Sequence, residues 1–210
     1  MNAFLDWFLA SVGTIDPVLR IGLAGLAILL ETSVLIGLVI PGDTVVLVAA
    51  TGTQSTVEYI ALILTIVVGS LIGESIGFAL GHTFGPAIQH SKIGRWIGHK
   101  NWVAAERFLD HRGGWAIFIS RFLPVLHSIV PLTAGIAGMH YRRFVAWTVP
   151  ACALWATAYV TVGRTAAVTY EQLNQSVQFA GYIFVGIILL FIAVMALVKK
   201  SLGRYTPKDD

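Results

Sequence analysis

The stretch Ile119-Ser120-Arg121-Phe122-Leu123-Pro124-Val125-Leu126-His127-Ser128-Ile129-Val130-Pro131, continued by Leu132-Thr133-Ala134-Gly135, decides how this chain folds. An arginine and a histidine sit six residues apart in otherwise apolar sequence, with two prolines among them. A second apolar block, upstream, carries the opposite sign: Glu31, then Pro41-Gly42-Asp43. A charge at membrane depth costs about 2.5–3.5 kcal/mol even on lenient scales. A chain that holds both signs there, each beside a helix breaker, is expected to use them.

Composition supports the membrane reading. Of 210 residues, 56% are hydrophobic and only 12% charged, against about 25% charged in soluble domains; the mean hydropathy is +0.78. Residues 59–73 and 181–198 carry no charge, and each approaches or extends to the ~20 residues that cross the hydrocarbon as a helix. The pI near 9.2 raises nucleic acid as a partner, but the basic residues punctuate apolar segments instead of forming a basic face. In a membrane chain they set orientation and meet anionic lipid. Cys152 is the single cysteine and forms no internal disulfide. No basic residue precedes Arg20, so residues 1–20 lack a signal-peptide basic region. Phe4, Leu5, Trp7, Phe8 and Leu9 suggest a short interfacial helix there.

The expected organisation is one membrane domain. Residues 21–52 form a first block, broken at Pro41 and Gly42, too long for one crossing and without a polar loop to divide it. Two half-helices entering and leaving on one side fit it, a re-entrant backbone tolerated where protein or a water-filled cavity covers it. Residues 59–83 read as a span, followed by a basic, amphipathic cytoplasmic segment, 86–113, that lies at the surface. Within it Asn101 is a possible helix cap and Gly113 a helix end. Residues 114–138 form the second broken block, interrupted at Pro124 and Pro131. Residues 144–163 are a span, 164–178 a polar connection, 179–198 the last span and 199–210 a basic tail.

Positive-inside counting places the C-terminal tail and Arg142-Arg143 in the cytoplasm. If the second block is re-entrant, the basic 86–113 segment is also inside, and the first block enters from outside. Each half is then a broken block followed by a span, the two entering from opposite faces. The expected fold is therefore all-α: a polytopic membrane protein with two opposed re-entrant helical hairpins in an inverted-topology repeat. Glycines at 69, 73, 77, 81 and 85 recur every four residues along the first span. Such a ridge lets another helix approach backbone to backbone, within the chain or in a homo-oligomer.

Arg121 offers a fork of donors that matches phosphate oxygens and stays charged. His127 can add a second cation, its charge dependent on pH near neutrality. Ser128 is a candidate N-cap for a helix restarting after the break, with Pro131 tolerated in its first turn, and N–H groups at such a restart point toward an anion. The bland alternative makes Arg121 a structural partner of Glu31, Asp43 or Glu74. Desolvation and a nearby arginine pull a carboxylate's proton affinity in opposite directions, and a carboxylate balanced between them can exchange protons. Glu31 is the best such candidate. Asp43 can instead cap the second half-helix, and Glu74 can bond to Ser70 one turn away.

These residues together resemble the DedA family of membrane proteins, also called SNARE-associated or VTT-domain proteins. The resemblance rests on Glu31, Pro41-Gly42-Asp43, the glycine-rich stretch from Gly69 to Gly85 with Glu74, and Arg121-Phe122-x-Pro124 leading to Ala134-Gly135, Gly138-Met139 and Phe144. It implies opposed re-entrant hairpins, a bacterial cytoplasmic membrane and proton-dependent handling of lipids, with several members resembling flippases of undecaprenyl phosphate. It implies functional acids at Glu31 and Asp43 and a functional arginine at Arg121. The chain departs at the family's second arginine, where it has His127.

A competing resemblance is to PAP2-type lipid phosphatases, through Ser120-Arg121 and His127. Their orienting aspartate is here Pro131, and the companion motifs are missing from the sequence. The expected function is accordingly proton-coupled flipping of a polyprenyl phosphate. A lipid phosphatase, or a flippase or scramblase of another phospholipid, is the alternative. The expected partners are a lipid phosphate, protons and anionic lipids, with no metal, cofactor or nucleic acid called for.

Overall fold

A computed structural model describes residues 2–33, 42–91, 99–123, 126–174 and 185–190, with single positions at 95 and 193. The described elements are helical: α1 (Asn2–Thr14), α2 (Pro17–Ser33), α3 (Gly42–Thr51), α4 (Thr56–His90), α5 (His99–Arg112), α6 (Gly114–Ser120), α7 (Leu126–Ile136) and α8 (Tyr141–Asn174). Two are long and apolar enough to cross a membrane, over Thr56–Gly85 and Tyr141–Thr169. A third crossing is available if α1 and α2, which meet at 98°, count as one broken span.

Local chemistry sets several of these boundaries. Ser55 accepts the Glu58 N–H at 3.1 Å, satisfying one of the donors that the start of α4 leaves free. At the end of α7 the Met139 N–H reaches back to the Ala134 carbonyl and the Gly138 N–H to that of Gly135, both 3.1 Å. Gly138 holds φ +69° there, the left-handed turn that glycine adopts without a Cβ penalty. Gly113, at φ +55°, makes the turn from α5 into α6.

The glycine ridge of α4 is filled from within the chain. Its lower part receives α2: Gly69 lies against the Gly25 carbonyl and Ile28, and Gly73 against Thr32 and the Leu29 carbonyl. Its upper part receives α7: Gly77 faces Pro131, Gly81 touches the Leu132 backbone, and Gly85 meets Ile136. Two helices from different broken blocks thus share one groove, near Gly77, where Ser33 and Pro131 both approach. Backbone contact this close needs residues without Cβ atoms. Away from the ridge, α4 exposes Val57, Ile60, Leu64, Val68, Ile72 and Ile76. An outward apolar stripe of this length suits lipid, not water.

Packing alternates between the halves. Helix α2 packs on α4, the long helix that follows it, and α6 packs on α8 in the same way. The second limbs cross over, α3 chiefly to α8 and α7 to α4. Gly163 of α8 gives α3 its close approach, against Leu47 and Ala50, as Gly81 does for α7. Two larger apolar cores result among the described residues, beside a small cluster around Ala166. One joins α2 and α3 to the first half of α4 and the middle of α8 around Ile28, Leu62, Ile66 and Trp155. The other joins α5, α6 and α7 to the second half of α4 and the start of α8 around Phe108, Ile117, Ile129 and Phe144.

Three boundaries differ from the sequence expectations. Helix α4 continues through Pro86 to His90, and α8 through Arg164 to Asn174, where a polar connection was expected. Polarity alone does not end a helix, and even Pro86, which has no N–H for the His82 carbonyl, leaves α4 running on to His90. Helix α5 begins at His99, so Asn101 lies inside it and does not cap it. Nor does α5 simply lie on the surface: Trp102, Ala105, Phe108 and Leu109 are buried against α6 and α7, with Glu106, Arg107 and Asp110 facing outward. The expected last span and tail, 179–210, lie almost wholly outside the described residues.

Candidate functional site

Arg121 follows directly on α6. The chain turns sharply there, with the Phe122 N–H donating to the Ile119 carbonyl at 3.0 Å and the Leu123 N–H to the Ser120 carbonyl at 2.9 Å. That turn drives the guanidinium inward, where it is 5% exposed. Its Nη1 donates to Glu74 Oε1 at 3.3 Å and its Nη2 to Ser70 Oγ at 3.2 Å. Ser70 and Glu74 stand one turn apart on α4. The guanidinium carbon lies over the Trp155 ring, 4.2 Å from its centroid. The Cys152 thiol donates to the same Glu74 oxygen at 3.5 Å. One nitrogen of Arg121, Nε, has no hydrogen-bond partner at all.

His127 opens α7 and faces α2. Its Nδ1 stands 3.4 Å from the Leu123 carbonyl. Its Nε2 points at Glu31 Oε1 across 3.8 Å, too far for a hydrogen bond and close enough for an ion pair when the imidazole is charged. Neither His127 Nε2 nor Glu31 Oε2 has a hydrogen-bond partner. The Glu31 carboxylate lies against the backbone of Gly42, in the space a Cβ at that position would fill. Only glycine fits beside it. Asp43 follows in the first turn of α3, half-buried, and acts electrostatically on Glu31, His127 and Arg121.

The structure therefore brings five of the sequence candidates together: Arg121 and His127 from the second block, Glu31 and Asp43 from the first, and Glu74 from α4 between them. It also assigns partners that the sequence left open. Glu74, not Glu31, holds Arg121, and Glu31 faces His127. Ser70 serves Arg121 and does not bond to Glu74. The cations of one block are thus each opposed by an acid outside it. Charges this deep are stable only when paired. An anion can join the cluster only if an acid is neutralised or withdrawn, and Arg121 Nε, with His127 Nε2 once the imidazole is charged, is then a donor without a partner to meet it.

Other expectations need correction. Ser128 is buried inside the first turn of α7, which starts at Leu126, so it is not an N-cap. Pro131 lies within α7 and does not break it. A proline ring there has no N–H for the carbonyl four residues earlier, which leaves the His127 carbonyl without its helical donor. Gly42 is the first residue of α3, and residues 34–41 before it lie outside the described residues. Pro41 and Pro124 lie outside the described residues.

Three participants were missed from the sequence. Trp155 and Cys152, three residues apart on α8, stand in a run with no polarity contrast to mark them. The third is a second ion pair, buried Arg20 with half-buried Glu58. Arg20 Nη2 meets Glu58 Oε2 at 2.5 Å and its Nη1 donates to the Val12 carbonyl at 3.1 Å. It ties α1 and α2 to the N-terminal end of α4. The signal existed, a lone arginine in apolar sequence and Ser55-x-x-Glu58 at a helix start.

Broken helices, a shared glycine groove and opposed buried charges define a polytopic helical membrane protein with an ionisable centre. The VTT domain model matches residues 40–165, which include α3, α4, the second block and most of α8. The chain belongs to the VTT-domain, or DedA, family. It is 23% identical over 162 residues to protein DedA of Escherichia coli, covering 75% of this chain and 74% of that one. It is 23% identical over 175 residues to undecaprenyl phosphate transporter A of Staphylococcus aureus, covering 79% and 84%. It is also 25% identical over 166 residues to an alkaline phosphatase-like protein of Lactococcus lactis, covering 75% and 76%. No solved structure matches the chain.

Proposed function

We propose that this protein is a proton-coupled flippase of an anionic lipid head group, with undecaprenyl or another polyprenyl phosphate as substrate. The observation that carries the reading is the pair of opposed buried contacts, Arg121 with Glu74 and His127 with Glu31. Arg121 and His127 hold the phosphate, and Glu31, Asp43 and Glu74 exchange protons. Protonation of Glu74 and Glu31 relaxes their hold on the two cations, whose free donors then take the phosphate oxygens. Deprotonation restores the pairs and expels the anion. The isoprenoid tail stays in the bilayer while the head crosses.

The fold that serves this cycle is an inverted repeat. Helices α2 and α3 form one re-entrant hairpin, and α6 and α7 form the other. The crossed packing of second limbs, α3 on α8 and α7 on α4, supports it. So do the matching glycine approaches at Gly81 and Gly163. Head-group passage runs between the two hairpins, where Glu31 and Asp43 of one meet Arg121 and His127 of the other beside Glu74. The C-terminus lies in the cytoplasm, by the basic residues of 199–210 and Arg142-Arg143. The membrane is the bacterial cytoplasmic one, where a family relative bears the name undecaprenyl phosphate transporter.

A lipid phosphatase fits the geometry less well. A nucleophilic imidazole needs one ring nitrogen aimed at phosphorus and the other held by an orienting group. His127 has Nδ1 toward a backbone carbonyl, but its Nε2 faces the Glu31 carboxylate, whose negative charge opposes the approach of a phosphate to that nitrogen while the two groups face each other. Reconstitution into liposomes with a labelled polyprenyl phosphate separates the two. Head-group translocation with no inorganic phosphate released supports the flippase. Phosphate release that His127→Ala abolishes overturns it in favour of the enzyme.

A further inference from the structure

We propose that Trp155 is a positioning residue for the phosphate-holding arginine: its indole face fixes the plane of the Arg121 guanidinium so that an edge of the fork stays open to phosphate oxygens. The inference rests on the reading of Arg121 as the phosphate ligand. It adds an uncharged determinant of substrate affinity on α8, in contact with the charged cluster.

The geometry of Arg121 has two parts. Its edge hydrogen bonds, 3.3 Å to Glu74 and 3.2 Å to Ser70, are longer than the 2.7–2.9 Å typical of charge-assisted contacts. They hold the side chain without saturating it, and Nε remains unpartnered. Trp155 supplies what they lack. At 4.2 Å from the ring centroid, the cation meets the negative face of the indole in a desolvated setting, where the attraction is strongest. A platform of this kind constrains tilt and rotation yet occupies no N–H. The fork can therefore exchange Glu74 for phosphate while its plane is kept.

Trp155 is itself immobilised. It is 1% exposed and belongs to the core formed by α2, α3 and the first half of α4. Tyr159, one turn further along α8, stacks on it at 4.0 Å between ring centroids and 26° between planes. The arginine comes from the second block, whereas the surface that orients it is anchored in the core of the first. Affinity for phosphate therefore depends on how the two halves sit together, because any sliding between them moves the indole off the guanidinium.

The test uses the full-length protein in liposomes with a labelled polyprenyl phosphate, comparing Trp155→Phe and Trp155→Leu with the unaltered chain. Trp155→Leu removes the aromatic face and should raise the half-saturating lipid concentration about tenfold, with little change in the maximal rate. Trp155→Phe keeps a face and should recover most of that loss. In an Arg121→Lys background the difference between Phe and Leu should shrink, because the flat guanidinium that stacks on the ring is gone. Equal defects in Trp155→Phe and Trp155→Leu, or a defect confined to the maximal rate, overturn the proposal and leave Trp155 a packing residue. An unaltered chain that moves no lipid phosphate overturns the flippase reading instead. A chain that transports while Trp155→Leu behaves normally overturns only the inference about Trp155.

Discussion

Replacing Glu74 by alanine isolates the Arg121 contact from everything around it. The arginine is buried, and only Glu74 among its direct contacts, Glu74, Ser70 and Trp155, carries a compensating charge. Glu74→Ala leaves a neutral hydroxyl and an aromatic face. Breaking a buried ion pair by removing one partner costs about 3–5 kcal/mol, because the other charge stays in place without compensation. For a chain of this size each kcal/mol corresponds to roughly 2–4 °C in Tm, so the expected fall is roughly 6–20 °C. Differential scanning calorimetry of the protein in lipid nanodiscs reads it directly. The double variant Glu74→Ala/Arg121→Met removes both charges and should recover more than half of the fall, since an apolar side chain needs no partner. A double variant no more stable than Glu74→Ala would refute the reasoning, because the cost would then come from lost packing and not from an orphaned charge.

Other outcomes follow from the same contacts. Gly81→Leu places a Cβ on the Leu132 backbone and should destabilise the fold by about 1–3 kcal/mol in the same calorimetric assay. Gly22→Ala meets nothing within 4 Å and should be neutral or slightly stabilising, by up to about 1 kcal/mol from helix propensity. His127→Arg fixes the charge that faces Glu31, so transport should depend less steeply on pH than in the unaltered chain, the acids still exchanging protons. Arg20→Ala orphans Glu58 near the N-terminal end of α4 and should lower Tm, while the half-saturating lipid concentration of the protein that remains folded stays the same. A large change in that concentration would place Arg20 in the substrate path.

Much of this architecture was legible because it rests on local or one-dimensional rules. Hydropathy located α4 and α8, since length and apolarity suffice for a crossing. The four-residue glycine spacing announced a groove, and it is filled as a packing ridge. Arg121, His127, Glu31 and Glu74 stood out because charge in apolar sequence is costly wherever it sits. What sequence could not supply was pairing. Whether Arg121 meets Glu31 or Glu74 depends on the register of α2 and α7 along the α4 groove, a tertiary quantity with no local signature. Trp155 was hidden for a related reason. An aromatic residue in an apolar helix carries no contrast with its neighbours, and only the approach of Arg121 from another element makes it more than core. Ser128 and Pro131 were misplaced because the helix restart was put three residues too late. A proline tolerated in a first turn and a proline inside a short helix look the same in sequence.

The central claim is that protons exchanged at the acids drive a lipid phosphate past Arg121 and His127. Its most direct test imposes a pH gradient across liposomes holding the protein and labelled polyprenyl phosphate, and records head-group movement and proton flux together. The account predicts that lipid movement follows the gradient and reverses with it. It predicts that Glu31→Gln uncouples proton flux from lipid movement, and that Arg121→Gln abolishes lipid movement. Lipid movement by the unaltered protein that is indifferent to the gradient, with no accompanying proton flux, would contradict it.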